Sequence, residues 1–231
     1  PRTLVSQEVV VHGREDVLGI IGLKPPHLMS PADRNKAIPM HDLQIDVGMP
    51  VEKVKELIRV GDVVTVKRSF MELGKDVVAC KAMDDRVAVA VIYECLQELK
   101  KLRHVADVYA VATVQEEVGL RGATVSTYGI NPDIGIALDV CHAAMPGVPE
   151  QDTAPMGKGP SLAFGANIHP KIYERLVEVA KEYNIPFTPD QTPAGTGTDL
   201  WAMQISRAGI PTGLISIPSR YMHTSVETVS M

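Results

Sequence analysis

Over the first seventy residues the apolar positions come in short, strand-length runs. Val9, Val10 and Val11 precede a His12-Gly13 turn, and a second run, Leu18, Ile20 and Ile21, is broken by Gly19 and closed by Gly22. Leu43, Ile45 and Val47 alternate with Asp42, Gln44 and Asp46, the two-residue period of a half-buried strand. Val51, Val54, Leu57 and Ile58 repeat at helical spacing behind Pro50 and ahead of Gly61, which predicts a short helix over 50–59. Strand pattern returns at 63–66, while the stretch 24–39, with Pro25, Pro26 and Pro31, reads as an irregular loop. From about residue 75 the rhythm lengthens. Helical stripes are predicted over 86–100, 170–183 and 199–207, and continuous apolar strands over 108–114, 134–140 and 212–217. Apolar strands separated by helices imply a sheet covered on both faces. The chain therefore reads as a small β-rich domain, residues 1–72, followed by an α/β domain, residues 73–231.

Composition narrows the classes. The 231 residues are 45% hydrophobic and 22% charged, inside the globular range. No apolar run approaches the roughly 18 residues of a membrane span, and no signal segment opens the chain. With 28 acidic against 23 basic residues the charge is −5, so nucleic acid is not the expected partner. Three cysteines, Cys80, Cys95 and Cys141, are odd in number and widely spaced, which points to a reducing, cytoplasmic setting. The first residue is Pro1, so the expectation is a processed or truncated chain, or one whose opening residues are not given.

In sheets of this kind ligands bind beyond the carboxyl ends of the strands. The predicted strand through Val114 runs into Glu116 and Glu117, and the one through Leu138 delivers Asp139. The one through Ile217 leads to Arg220 and His223, and the turn before the first long helix carries Asp84 and Asp85. Each has an ordinary reading alone. Asp84 and Asp85 suit a helix start, Glu116 and Glu117 an exposed strand end, Asp139 a local cap, and His223 is one of seven histidines. Their joint placement is the stronger fact. Carboxylates so crowded repel unless a cation sits among them, and a mixed Asp/Glu/His set suits hydrolytic zinc, cobalt or manganese.

The runs Lys81-Ala82-Met83-Asp84-Asp85-Arg86, Val114-Gln115-Glu116-Glu117-Val118-Gly119, Ala137-Leu138-Asp139-Val140 and Arg220-Tyr221-Met222-His223-Thr224 resemble the glutamyl/tetrahedral aminopeptidase family of dinuclear metallopeptidases. The early runs Val17-Leu18-Gly19-Ile20-Ile21-Gly22 and Ile45-Asp46-Val47-Gly48 are similar to that family's inserted domain, and Gly195-Thr196-Gly197-Thr198-Asp199 to its loop beside the active site. The resemblance implies an α/β/α catalytic domain on a mixed sheet with a small inserted β-barrel that mediates dimerisation. It implies that Asp84 bridges two divalent ions through a cis Asp84-Asp85 peptide, that Glu117 and His223 complete one site, and that Asp139 serves the other. Asp85 supports, and Gly197, Thr198, Asp199 and Arg220 touch substrate. Glu116 is then the general base toward a water bridging the metals, in an aminopeptidase acting on short peptides. The family's oligomers are tetrahedral dodecamers built from dimers.

One departure stands beside the match. The family supplies a further metal-binding histidine ahead of its inserted domain, and none of His12, His27, His41, His104, His142 or His169 stands in that context. The Asp139 site is therefore expected to be incomplete in this chain, so one rival is a catalytically incomplete fragment or assembly subunit. A carboxylate glycoside hydrolase is the other, and it is disfavoured by one Trp and 4% aromatic residues, since such clefts stack sugars on aromatic platforms.

Overall fold

The computed structural model describes residues 3–32 and 36–231. By its contacts the chain forms two compact units, Pro1–Phe70 with Thr224–Val226 and Met71–His223 with Glu227–Met231.

In the first unit, β1 (Glu8–His12), β2 (Asp16–Gly22), β3 (Gln44–Asp46) and β4 (Val63–Val66) make an antiparallel sheet in the order β3-β2-β1-β4. Alternation sends Val9, Val11, Val17 and Ile21 inward, and Val11 and Val17 pack on Leu57 of helix α1 (Val51–Leu57). The chain leaves α1 tightly against the first hairpin: a Cβ on Gly13 would stand 2.2 Å from the Leu57 carbonyl oxygen, so only glycine fits that turn. Two expectations are corrected. The sheet is open among the described residues, with β3 and β4 at its edges, rather than a closed barrel. Nor is β3 half-buried: it is a three-residue edge strand, exposed throughout, with only the flanking Leu43 and Val47 half-covered. The stretch 24–39 holds a 3-10 turn at Pro26–Leu28, and its residues 33–35 lie outside the described residues.

The second unit is built on a mixed sheet of β5 (Met71–Leu73), β6 (Val77–Cys80), β7 (Gly135–His142), β8 (Ser161–Phe164), β9 (Thr188–Gln191), β10 (Thr212–Arg220) and β11 (Glu227–Ser230). The order is β5-β6-β11-β10-β8-β9, with β7 parallel to β10 from Gly135↔Thr212 to His142↔Ser219. Four helices dress it: α2 (Met83–Leu99), α3 (Arg121–Ile130), α4 (Pro170–Glu182) and α5 (Asp199–Gln204). Two glycines fix their sides. A Cβ on Gly213 would meet Ile172 and Leu176 of α4 at 2.7 and 3.2 Å, whereas one on Gly135 would meet Met203 of α5 at 2.6 Å. Because Gly135 pairs with Thr212, Gly213 faces the other way, so α4 and α5 cover opposite faces and the layering is α/β/α. Between α5 and the sheet lies a core of Ala137, Ala163, Ile168, Leu200 and Leu214.

The helices expected over 86–100 and 170–183 and the strands over 134–140 and 212–217 are present within a few residues. The strand expected over 108–114 is not formed. Its apolar run has no ladder partner among the described residues: the Val114 carbonyl accepts from the Gly122 N–H at 2.9 Å, but Val108, Tyr109 and Val114 stay exposed. The free edge of β7, which pairs only with β10 among the described residues, likewise leaves Ile136 exposed. Apolarity makes a strand only where another backbone completes its hydrogen bonds. No helix among the described residues is long and apolar enough to cross a membrane.

Candidate metal centre

The acidic side chains reach the site from a helix mouth, a turn and the middle of a strand. β6 stops at Cys80, and the chain passes through Ala82 in the left-handed region (φ 52) to Asp84 and Asp85, which are non-helical within the span of α2 and joined by a cis peptide. Regular helix begins only after them, so the two carboxylates stand at its mouth. Glu116 and Glu117 follow the extended 108–114 segment in a turn closed by Gly119 N–H and Leu120 N–H donating to the Glu116 carbonyl at 3.0 and 3.1 Å. Asp139 lies mid-way along β7, opposite Ser216 of β10, and is buried. His223 follows β10 with φ 61.

The structure brings these residues into two overlapping groups. Asp84, Glu117 and His223 offer oxygen and imidazole atoms that all lie within 4.8 Å of one another, as do the oxygens of Asp84, Asp85 and Asp139. His223 Nε2 is 3.1 Å from Asp84 Oδ2 and 3.7 Å from Glu117 Oε2. Asp84 belongs to both sets, the position expected of a bridging carboxylate. The first set mixes oxygen with nitrogen, and the second is oxygen alone.

Electrostatics favour an added cation. Burial, then the charges of Glu117 and Glu227, push Asp84 up to about 6, against a smaller lowering by His223. Burial, then Asp139 and Asp84, push Asp85 up to about 8. Burial, then Asp139 and Glu117, carry Glu116 to about 7. Burial raises Asp139 to about 7 despite the Val140 N–H that donates to its Oδ1 at 2.7 Å. Asp85 Oδ1 is buried with no hydrogen-bond partner. Stranded oxygens and mutually repelling carboxylates, with an imidazole at one end, match the donor set of a divalent transition ion.

The remaining expected residues divide. Gly197 and Thr198 line a cleft of about 1250 Å³ that also holds Asp84, Glu116, Glu117, Asp139 and His223. Asp199, half-buried at the start of α5, accepts a 2.6 Å hydrogen bond from Thr113 and ties the 108–114 segment to that helix. Arg220 is not among the cleft-lining residues: its Nε donates to the Ala144 carbonyl at 2.8 Å. Two participants went unread in the sequence. Glu227 is buried and holds the backbone N–H groups of Asp84 and His223, at 3.0 and 2.8 Å. Asp190 of β9 also lines the cleft.

The carboxylate and histidine cluster thus lines a cleft of the α/β/α unit. The model of one family, M42 glutamyl aminopeptidase, matches residues 1–231, and the chain belongs to that family. It is 38% identical over 231 residues to the lysyl aminopeptidase of Pyrococcus furiosus, covering 98% of this chain and 66% of that protein. The chain thus spans just under two thirds of the length of that curated relative. Among solved structures it is similar to a TET aminopeptidase of the marine sediment archaeon Thaumarchaeota archaeon SCGC AB-539-E09 (TM-score 0.92, 34% identity, all of this chain and 67% of that one). It is also similar to the Pyrococcus horikoshii TET1 peptidase, described as able to assemble into a tetrahedron or a large octahedral shell (TM-score 0.83, 30% identity, 99% and 68%).

Proposed function

We propose that the protein is a metal-dependent aminopeptidase that removes N-terminal residues from short peptides. The observation that carries this reading is the meeting of Asp84, Glu117 and His223 within 4.8 Å, at the floor of a cleft that Glu116 also lines. Asp84, Glu117 and His223 would hold one divalent ion, zinc, cobalt or manganese by their donor type, and Asp84 with Asp139 would offer ligands to a second. When bound, such ions polarise the scissile carbonyl and lower the pKa of water.

The chain's own residues do the rest. Glu116, which lines the cleft beside these ligands, is placed to take a proton from the attacking water as the new C–O bond forms. It returns that proton to the amide nitrogen as the C–N bond breaks, so acid and amine leave in balance. Gly197 and Thr198 stand beside the cleft where a peptide backbone would lie. Asp190 and Asp152 also line the cleft, and no Lys or Arg is among its described lining residues, which favours N-terminal residues with cationic side chains. No Phe, Tyr or Trp is among the described residues lining the cleft, which disfavours the glycosidase alternative.

For assembly, the reading is a cytoplasmic homo-oligomer built from dimers through the β-rich domain at residues 1–72, up to a tetrahedral dodecamer. Its support is family membership and the shells formed by the Pyrococcus horikoshii relative. To test the activity, free amino acids released from di- and tripeptides are measured with and without a chelator. Release that stops on chelation and resumes with Zn²⁺ or Co²⁺ is expected. Hydrolysis indifferent to the chelator overturns the reading.

A further inference from the structure

Glu227 is a buried acid, 3% exposed. Each of its carboxylate oxygens is occupied by one main-chain donor. The Asp84 N–H donates to Oε2 at 3.0 Å, across 143 residues of sequence, and the His223 N–H donates to Oε1 at 2.8 Å. Neither donor is served by regular structure. Asp84 (φ −73, ψ 111) precedes the regular turns of α2, and His223 (φ 61) sits in the left-handed region beyond the end of β10. Buried backbone donors must find an acceptor, and here one side chain serves both.

Strand pairing explains how it can. β11 sets Glu227 opposite Cys80 of β6, four residues before Asp84 along the chain, and His223 lies four residues before Glu227 in the β10–β11 connection. The side chain therefore spans the gap between the two segments that carry the ligands. Where it holds them, His223 Nε2 comes to 3.1 Å from Asp84 Oδ2.

We propose that Glu227 is the positioning residue of the metal centre, a carboxylate clamp that fixes the main chains of Asp84 and His223 so that their side chains converge on one ion. The proposal rests on the metal-centre reading above. The chemistry requires a carboxylate of this length. An amide in its place offers one oxygen and one NH₂, so one backbone N–H would face a second donor. An aspartate is one methylene short and cannot reach both partners.

The wild-type chain, Glu227→Gln and Glu227→Asp are titrated with Co²⁺, followed by calorimetry and by the visible absorption of the bound ion. Amide hydrogen exchange at Asp84 and His223 is measured on the metal-free proteins. Wild type is expected to bind Co²⁺ and to protect both amides. Glu227→Gln is expected to weaken Co²⁺ binding by about 10–100-fold, the usual effect of losing a group that orients a ligand. Its visible spectrum should change and at least one of the two amides should exchange freely. Glu227→Asp, which keeps the charge but is too short to hold both donors, supplies the same comparison if the glutamine variant does not fold, with a loss in the same range. Co²⁺ affinity and spectrum equal to wild type in a folded variant overturn the proposal, even if the melting temperature falls, because Glu227 would then only support the fold. A wild-type chain that protects both amides yet takes up no Co²⁺ overturns the metal-centre reading itself, and the proposal with it.

Discussion

At the scale of single residues the centre is governed by charge. Glu116→Gln removes a base while leaving an amide of the same shape, so peptide hydrolysis is expected to fall about 10²–10⁴-fold with bound metal unchanged. Rate and metal content measured on the same sample check this. A second expectation concerns pH. In the metal-free chain Asp85 lies at about 8 and Asp139 at about 7, both above the ordinary 3.8. Between roughly pH 4 and 8 the folded chain therefore holds more protons than the unfolded one, so these groups lower its stability as pH rises through that window. Asp85→Asn stays neutral throughout. Its melting temperature relative to wild type is expected to climb from pH 4 to pH 8, and a difference independent of pH would contradict the assignment. The paired acids, Asp84-Asp85 and Glu116-Glu117, were legible in the sequence because adjacent carboxylates are conspicuous between apolar runs. Glu227 was not, because a glutamate in a polar strand such as Glu227–Ser230 looks like any exposed strand residue until its two donors, from distant segments, are seen.

At the scale of elements, periodicity carried most of the helices and the parallel pair β7 and β10. It failed where partners decide. The 108–114 run has the composition of a buried strand and none of the hydrogen bonding. α3 was missed for the opposite reason: Gly122, Gly129 and its Thr residues give it poor helix propensity, and it is anchored by the burial of Ala123 and Thr127. Close packing yields a further test. Gly213 lets α4 approach the sheet, so Gly213→Ala drives a methyl to within 2.7 Å of Ile172. A loss of about 1–3 kcal/mol in urea unfolding is expected, the usual cost of overpacking, and no loss would mean that α4 yields freely.

At the scale of the whole molecule, the cleft's charge sets the expected selectivity. Peptides opening with Lys or Arg are expected to be cleaved with higher kcat/KM than those opening with Glu, and Asp190→Asn is expected to narrow that ratio by about tenfold. Parallel assays on Lys, Leu and Glu substrates check it, the Leu substrate reporting general damage. Nothing in the local pattern around Asp190 announced a place in the cleft lining, because among the described residues β9 meets the sheet only through β8.

The hydrogen bond from Asp84 to Glu227 joins positions 143 residues apart, and the β7–β10 pairing that seats Asp139 joins residues 77 apart. No local fragment of the chain can therefore assemble the centre, because closing loops of this size carries an entropy cost that local contacts do not repay. Metal affinity should accordingly arise late in refolding, once β10 and β11 have docked. Whatever ion is bound stabilises only the finished fold, so its free concentration acts as a control on how much of the chain is folded.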